Sequence, residues 1–314
     1  MKCIFYLSGE NECLARFEVL NLLKAREIGR DRQILIAEVK ISKFDRLALT
    51  HEVSSYYESC KLGDLEDVFM EIPVNGSCCV RVVKIGKQDF SGLEIEREMG
   101  AILKLRGLKI DLENPENLIR VYISNRCHVG FLIHKTNKRQ FLERHPKFRP
   151  FKIPCVIPPR VGRAIVNVSS GSRILDPMCG TGTFLIEAGL MGLDFLGVDA
   201  YEKIVRGCAE NLRFFKLPAN VLRGDARNLP FKDECFDGVV TDFPYRRSTR
   251  SFGERLVERA IEEIGRVLIS GCFAVIVINE DVDDLISDVF KIEGKCYQRV
   301  HRSLIRRYYV CRKV

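Results

Sequence analysis

The chain has 314 residues, 46% of them hydrophobic and 29% charged, with a formal net charge of +8. That length exceeds one typical core and predicts two or three domains. No run of about 18 uncharged apolar residues exists to span a bilayer, which excludes a membrane-spanning helix.

Residues 1–8 hold one short apolar stretch soon followed by Glu10 and Glu12, unlike the longer core of a secretory leader. They read as a first strand, and the protein as cytoplasmic, without membrane contact or an obligate protein partner. Thirteen cysteines occur, with no C-x-x-C spacing, so zinc and thioredoxin-like readings lose their support. Scattered thiols are expected as small apolar filler, the alternative being a disulfide in a hyperthermophile's protein.

Apolar runs at 34–39, 78–83, 118–123 and 129–133 predict strands, and 94–105 carries a helical pattern, making the first half α+β. From 131 to 157 charge mixes with Pro146, Pro150 and Pro154, which predicts an extended connector rather than a helix. Between Lys135 and Arg163 nine cations (Lys135, Lys138, Arg139, Arg144, Lys147, Arg149, Lys152, Arg160, Arg163) face one acid, Glu143, and this stretch carries the whole net charge. Interleaved with Phe141, Phe148 and Phe151, it suits phosphate contacts with base stacking, or else a solvated linker.

Pro158 and Pro159 open a predicted helix to about 168. Strands then follow near 173–176, 195–199, 220–223, 236–241 and 273–278, with helices near 183–191, 201–215, 254–268 and 281–290 between them. Such alternation demands a mostly parallel sheet covered on both faces. The last pair, 295–301 and 305–311, has no helix between its members and predicts a closing hairpin.

In open α/β sheets ligands lie beyond the carboxyl ends of the strands, and there each of four loops carries an acid. The first loop is Asp176-Pro177-Met178-Cys179-Gly180-Thr181-Gly182-Thr183. Its two glycines permit a tight turn, and Leu185 breaks the full dinucleotide fingerprint. Asp199 closes the second strand, where an acid can accept ribose hydroxyls. Asp225, beside Ala226, closes the third, where a carboxylate can accept from an adenine amine. The fourth strand ends in Asp242-Phe243-Pro244-Tyr245.

These motifs resemble class I S-adenosylmethionine-dependent methyltransferases. The resemblance implies a seven-stranded Rossmann-like domain over 158–314, with Gly180 and Gly182 against the methionine part of the cofactor, Asp199 on its ribose and Asp225 on its adenine. Asp176, Pro177, Cys179, Thr181, Thr183, Ala226 and Asp242 complete the expected cofactor set. Asp242-Phe243-Pro244-Tyr245 resembles the D-P-P-Y loop of amino-group methyltransferases, with Phe243 in place of the first proline. An exocyclic amine has a delocalised lone pair and attacks poorly. Asp242 and the Phe243 carbonyl are expected to hold its two N–H groups, Tyr245 to stack on the base and Pro244 to stiffen the turn. No metal is expected, and Cys179 is expected to pack rather than react.

Residues 91–123 resemble the THUMP RNA-binding domain. This implies a THUMP domain over 50–135, a ferredoxin-like subdomain over 1–49 and a linker over 136–157. The 149–160 segment and the hairpin Arg302-Ser303-Leu304-Ile305-Arg306-Arg307 resemble archaeal tRNA guanine-10 N2-methyltransferases. The partner is then tRNA, and the products N2-methyl- and N2,N2-dimethylguanosine. Arg246, Arg247, Arg250, Arg302, Arg306 and Arg307 are candidate phosphate contacts. A tRNA guanine-6 N2-methyltransferase, a DNA adenine or protein glutamine methyltransferase, and a non-catalytic RNA-binding protein on the same scaffold are the rival readings.

Overall fold

Alternating β-branched and aromatic residues in the first half, and apolar runs separated by helical patterns in the second, build two different sheets. The computed structural model describes residues 1–154, 156–244, 255–301 and 304–314. They form two compact units, one of Met1–Glu12, Leu23–Asp45 and Thr50–Thr136, the other of Cys13–Leu22, Arg46–Leu49 and Asn137–Val314.

In chain order the amino-terminal half contains β1 (Lys2–Leu7), α1 (Glu12–Leu22), β2 (Arg26–Asp31), β3 (Ile34–Glu38), β4 (Thr50–Cys60), α2 (Leu65–Glu71), β5 (Cys78–Lys84), α3 (Gly92–Leu105), β6 (Asn117–Ile123) and β7 (Cys127–Lys135). All seven strands join one sheet in the order β2-β3-β1-β4-β7-β6-β5. Only β5 and β6 pair in parallel. The Ser91 hydroxyl caps α3 by accepting the Glu94 N–H at 3.3 Å, which satisfies one of the helix's orphan donors. Ile95, Met99 and Leu103, spaced four apart, then bury one face against Val80, Ile119 and Val121 of the sheet. The α+β character expected of this half is what the strands and helices form.

The second unit opens with residues 13–22 of α1. Glu18 on that helix has no exposed surface and accepts the N–H groups of Ala48 and Leu49, both at 2.8 Å, and the Asn167 amide at 2.7 Å. Burial pushes its carboxyl above the usual range. A disulfide joins Cys13 of α1 to Cys296, so the filler expectation fails for these two thiols. Their Cα atoms, 5.5 Å apart, come from elements 283 residues apart in sequence, a distance at which a bridge fits and a separation that no spacing rule detects. Of the ten free cysteines described, eight are buried, as filler should be.

The connector is also not what its composition suggested. Residues Arg139–Glu143 form a short helix, α4, and Pro146–Phe148 a 3₁₀ turn. An Arg139–Glu143 pair at i,i+4 and the burial of Phe141 favour the helical turn, and Pro146 supplies the fixed φ that starts the next one.

Beyond it lie α5 (Pro159–Ser169), β8 (Arg173–Asp176), α6 (Thr183–Leu190), β9 (Asp194–Asp199), α7 (Glu202–Phe214), β10 (Val221–Arg223), β11 (Phe236–Asp242), α8 (Leu256–Val267), β12 (Leu268–Ile278), α9 (Asp283–Ser287), β13 (Lys291–His301) and β14 (Leu304–Arg312). The sheet order is β10-β9-β8-β11-β12-β14-β13. Neighbours from β10 to β12 run parallel, whereas β14 is antiparallel to both β12 and β13. This is the mostly parallel seven-stranded sheet with a closing hairpin that the sequence predicts. Leu175 and Val239 of the sheet cluster with Ala260, Ile261 and Ile264 of α8, and α5 packs on β11, β12 and α6. Among the described residues no helix is long and apolar enough to cross a membrane.

Candidate active site

Parallel pairing sets the carboxyl ends of β8, β9, β10 and β11 at one edge of the sheet. Asp176 ends β8 opposite Gly197 of β9, Asp199 ends β9 opposite Arg223 of β10, and Asp242 ends β11 opposite Val277 of β12. The acids are near enough to interact. Burial first, then the charges of Asp199 and Asp242, push the Asp176 carboxyl far above its usual value. Burial likewise raises Asp199, although its carboxylate accepts the Gly180 and Tyr201 N–H groups, each at 3.1 Å.

The turn after β8 is tied at several points. The Met178 N–H reaches the Asp176 carboxylate at 3.2 Å, the Cys179 N–H the Val198 carbonyl at 2.9 Å, and the Gly182 N–H the Cys179 carbonyl at 2.8 Å. Gly180 and Gly182 sit at φ +52° and +83°, a region costly for residues with a Cβ. A Cβ at Gly180 would meet nothing within 4 Å, whereas one at Gly182 would lie 2.7 Å from the Cys208 sulfur. Hence Gly180 faces open space and Gly182 permits close packing on α7. The Thr181 hydroxyl is buried with no hydrogen-bond partner among the described residues. An open glycine and an orphaned hydroxyl suit a turn that takes a polar ligand. Pro177 lies within this turn, and Thr183 starts α6. Cys179 lies 4.0 Å from Cys208, sulfur to sulfur. That contact and burial hold its thiol neutral, which suits packing rather than nucleophilic chemistry.

Asp225 follows β10, and its carboxylate is taken by Arg227, whose side chain and backbone N–H all reach it. The Arg227 hydrogen bonds hold it below the usual carboxylate range. Ala226 next to it is buried in the core. Phe243, too, is buried there, and its N–H donates to the Val277 carbonyl at 2.8 Å. Proline, with no N–H, could not make that bond. Pro244 is half-buried. Tyr245, Arg246, Arg247, Arg250, Arg302 and Ser303 lie outside the described residues.

The basic connector divides into two populations. Glu187 of α6, with no exposed surface, binds Arg144 through two bonds and Arg163 through a third. The Arg149 guanidinium donates to the Thr183 hydroxyl at 2.8 Å, and burial pushes its pKa down to about 10. Arg144, Arg149 and Arg163 are therefore internal braces, not the phosphate contacts expected of them. Phe141 is buried beneath Arg144 and Arg163, and Phe151 packs on Gly207, which corrects the stacking expectation for both rings. Phe148, beneath Lys147, is exposed. Arg306 is buried as well, and Arg307 donates to the Asn279 carbonyl.

Residues 146–307 match the family of RMKL-like methyltransferase domains. The tRNA (guanine(10)-N2)-dimethyltransferase of Methanothermobacter thermautotrophicus is 37% identical, with 98% of each chain covered. That of Pyrococcus abyssi is 34% identical across 90% of this chain and 89% of the other. The chain belongs to this tRNA (guanine(10)-N2)-dimethyltransferase family. TrmN from Thermus thermophilus shares the fold, with a TM-score of 0.53 over the full length of both chains at 20% identity. What sequence reading missed in this family member is the second tier behind the turn: Glu187, Asn211 and the braces on them. Glu187 and Asn211 look like ordinary surface residues of amphipathic helices, and only their burial reveals otherwise.

Proposed function

We propose that the chain transfers methyl groups from S-adenosylmethionine to the exocyclic N2 amine of guanosine 10 in tRNA, giving N2-methyl- and then N2,N2-dimethylguanosine. The observation that carries this reading is the joint placement of the glycine turn, Asp199 and Asp242 at one edge of a methyltransferase sheet, in a member of this family.

The cofactor supplies a methyl group already activated on a sulfonium, so no covalent nucleophile is needed. The Gly180–Gly182 turn and the Thr181 hydroxyl hold its amino-acid part, Asp199 accepts from its ribose, and the surroundings of Ala226 receive its base. Asp225 reads the adenine only if Arg227 shares or releases its carboxylate. Asp242 and the Phe243 carbonyl accept the two N–H groups of the guanine amine, orient its lone pair and offset the positive charge that builds on nitrogen. After one transfer a single N–H remains, so the second methylation relies on one acceptor. Tyr245 stacks on the extruded base. The first unit, whose Thr50–Thr136 span is read as the THUMP domain over 50–135, grips the tRNA.

The deciding experiment is incubation with labelled S-adenosylmethionine and unmodified tRNA, followed by nucleoside analysis and mapping of the modified position. Methylation confined to a guanine of the acceptor stem would overturn the choice of target. Transfer to DNA or peptide but not to tRNA would overturn the substrate class.

A further inference from the structure

Asn211, on α7, has no exposed surface, yet its amide makes three hydrogen bonds. Nδ2 donates to the Thr181 carbonyl and to the Phe151 carbonyl, both at 3.0 Å, and Oδ1 accepts the Phe151 N–H at 2.9 Å. A buried amide is tolerated when its donors and acceptor are all used, as here. Its partners belong to two separate segments, the turn after β8 and the connector ahead of α5.

Within that turn the Thr181–Gly182 peptide precedes a glycine at φ +83°. Glycine at 182 accepts either sign of φ at little cost, so backbone sterics alone do not fix the plane of this peptide. Two hydrogen bonds on its opposite edges fix it. On one edge the Gly182 N–H reaches the Cys179 carbonyl at 2.8 Å, and on the other Asn211 holds the Thr181 carbonyl. Phe151 holds the Asn211 amide in turn, and its ring fills the space above Gly207, where a Cβ would lie 2.2 Å from it.

We infer that Asn211 is a positioning residue for the cofactor turn, keeping the Thr181–Gly182 peptide in the one orientation that takes S-adenosylmethionine, with Phe151 of the connector as its anchor. This rests on the reading of residues 176–183 as the cofactor turn. Molecules with that peptide rotated do not bind, and apparent affinity falls by the fraction that remains competent. Once the cofactor is bound, the turn is in its working form, so turnover is not altered. A residue that merely fills the core would show the opposite pattern, losing active protein without changing the affinity of what stays folded.

The test compares the full chain with Asn211→Asp, which keeps the acceptor but sets an oxygen against two carbonyls, and with Asn211→Leu, which avoids a buried charge. Calorimetric titration with S-adenosylmethionine gives affinity and the active fraction separately. Steady-state methylation of a tRNA transcript gives kcat and both KM values. The expected result, in whichever variant folds, is a cofactor Kd and KM raised about tenfold, the scale of one buried hydrogen bond lost. The kcat at saturating cofactor and the KM for tRNA should stay within about twofold. Unchanged cofactor affinity in folded variants, or kcat falling with the active fraction while cofactor KM holds, overturns the inference alone. Failure of the unsubstituted chain to bind S-adenosylmethionine overturns it together with the reading of the turn.

Discussion

The Arg144 guanidinium grips both oxygens of Glu187, Nε to Oε1 at 2.8 Å and Nη2 to Oε2 at 3.0 Å, around a carboxylate with no exposed surface. Arg163 adds a third bond at 2.9 Å. Removing one partner of a buried pair leaves an uncompensated charge, which costs about 3–5 kcal/mol. Glu187→Ala strands two guanidinium groups and should destabilise the second unit by that amount in urea unfolding. A loss below about 1 kcal/mol would show that water reaches these charges and that the brace is superficial.

The strands of the second sheet were legible because parallel central strands are apolar throughout and are separated by amphipathic helices. Asp176, Asp199 and Asp242 each stand where such a strand stops, so their placement at one edge followed from the alternation alone. Helix α1 was not legible. Its buried face includes Glu18, and a charged residue on the inward stripe breaks the apolar period that would have revealed it. The same limit hid Arg144, Arg149 and Arg163 among surface cations, since a guanidinium reads as solvated until a carboxylate such as Glu187 is known to face it. The disulfide between Cys13 and Cys296 depends on the approach of distant elements, which no local pattern encodes.

Asp242→Ala separates chemistry from binding. The Asp242 carboxylate is proposed to act on the guanine amine, so its loss should lower transfer by roughly two to three orders of magnitude, the scale for one charge-stabilising group. Cofactor affinity should change little. Single-turnover methylation paired with calorimetric titration reads both, and an equal loss of binding and transfer would reassign Asp242 to the cofactor.

Burial raises the Asp199 carboxyl above the usual carboxylate range. Ribose hydroxyls donate to the ionised form, so cofactor affinity should be full above that raised pKa. It should fall as pH drops through it, by up to about tenfold per pH unit. Stability runs the other way. With the folded pKa above the unfolded one, this group's contribution is fully present below the unfolded pKa and is lost as pH rises through the folded value. Titrations in mildly acidic buffers should show the trend, and Asp199→Asn should bind more weakly with a flatter profile. A profile unchanged by that substitution would shift the titration to Asp176.

Reduction of the Cys13–Cys296 bridge should weaken the second unit, because the bond closes a loop of most of the chain and restricts the unfolded ensemble. The typical contribution is about 2–4 kcal/mol. Cys13→Ser should show the same loss without reductant, and reductant should then have no further effect on its unfolding midpoint. A difference that persists between the reduced wild-type chain and Cys13→Ser would assign the effect to packing rather than to the bond.

Lys147, over the exposed ring of Phe148, and Lys152 remain on the surface of the connector, whereas its Arg144 and Arg149 are used internally, as is Arg163 of α5. Each phosphate contact contributes about one counterion to the salt dependence of nucleic-acid binding. Lys147→Ala with Lys152→Ala should therefore weaken tRNA binding and reduce the slope of log affinity against log salt by about two, with the unfolding midpoint unchanged. Phe148→Ala should weaken binding with little effect on the slope, since stacking releases no counterion. An unchanged slope in the double lysine variant would make this surface a spacer and move the phosphate contacts elsewhere on the chain.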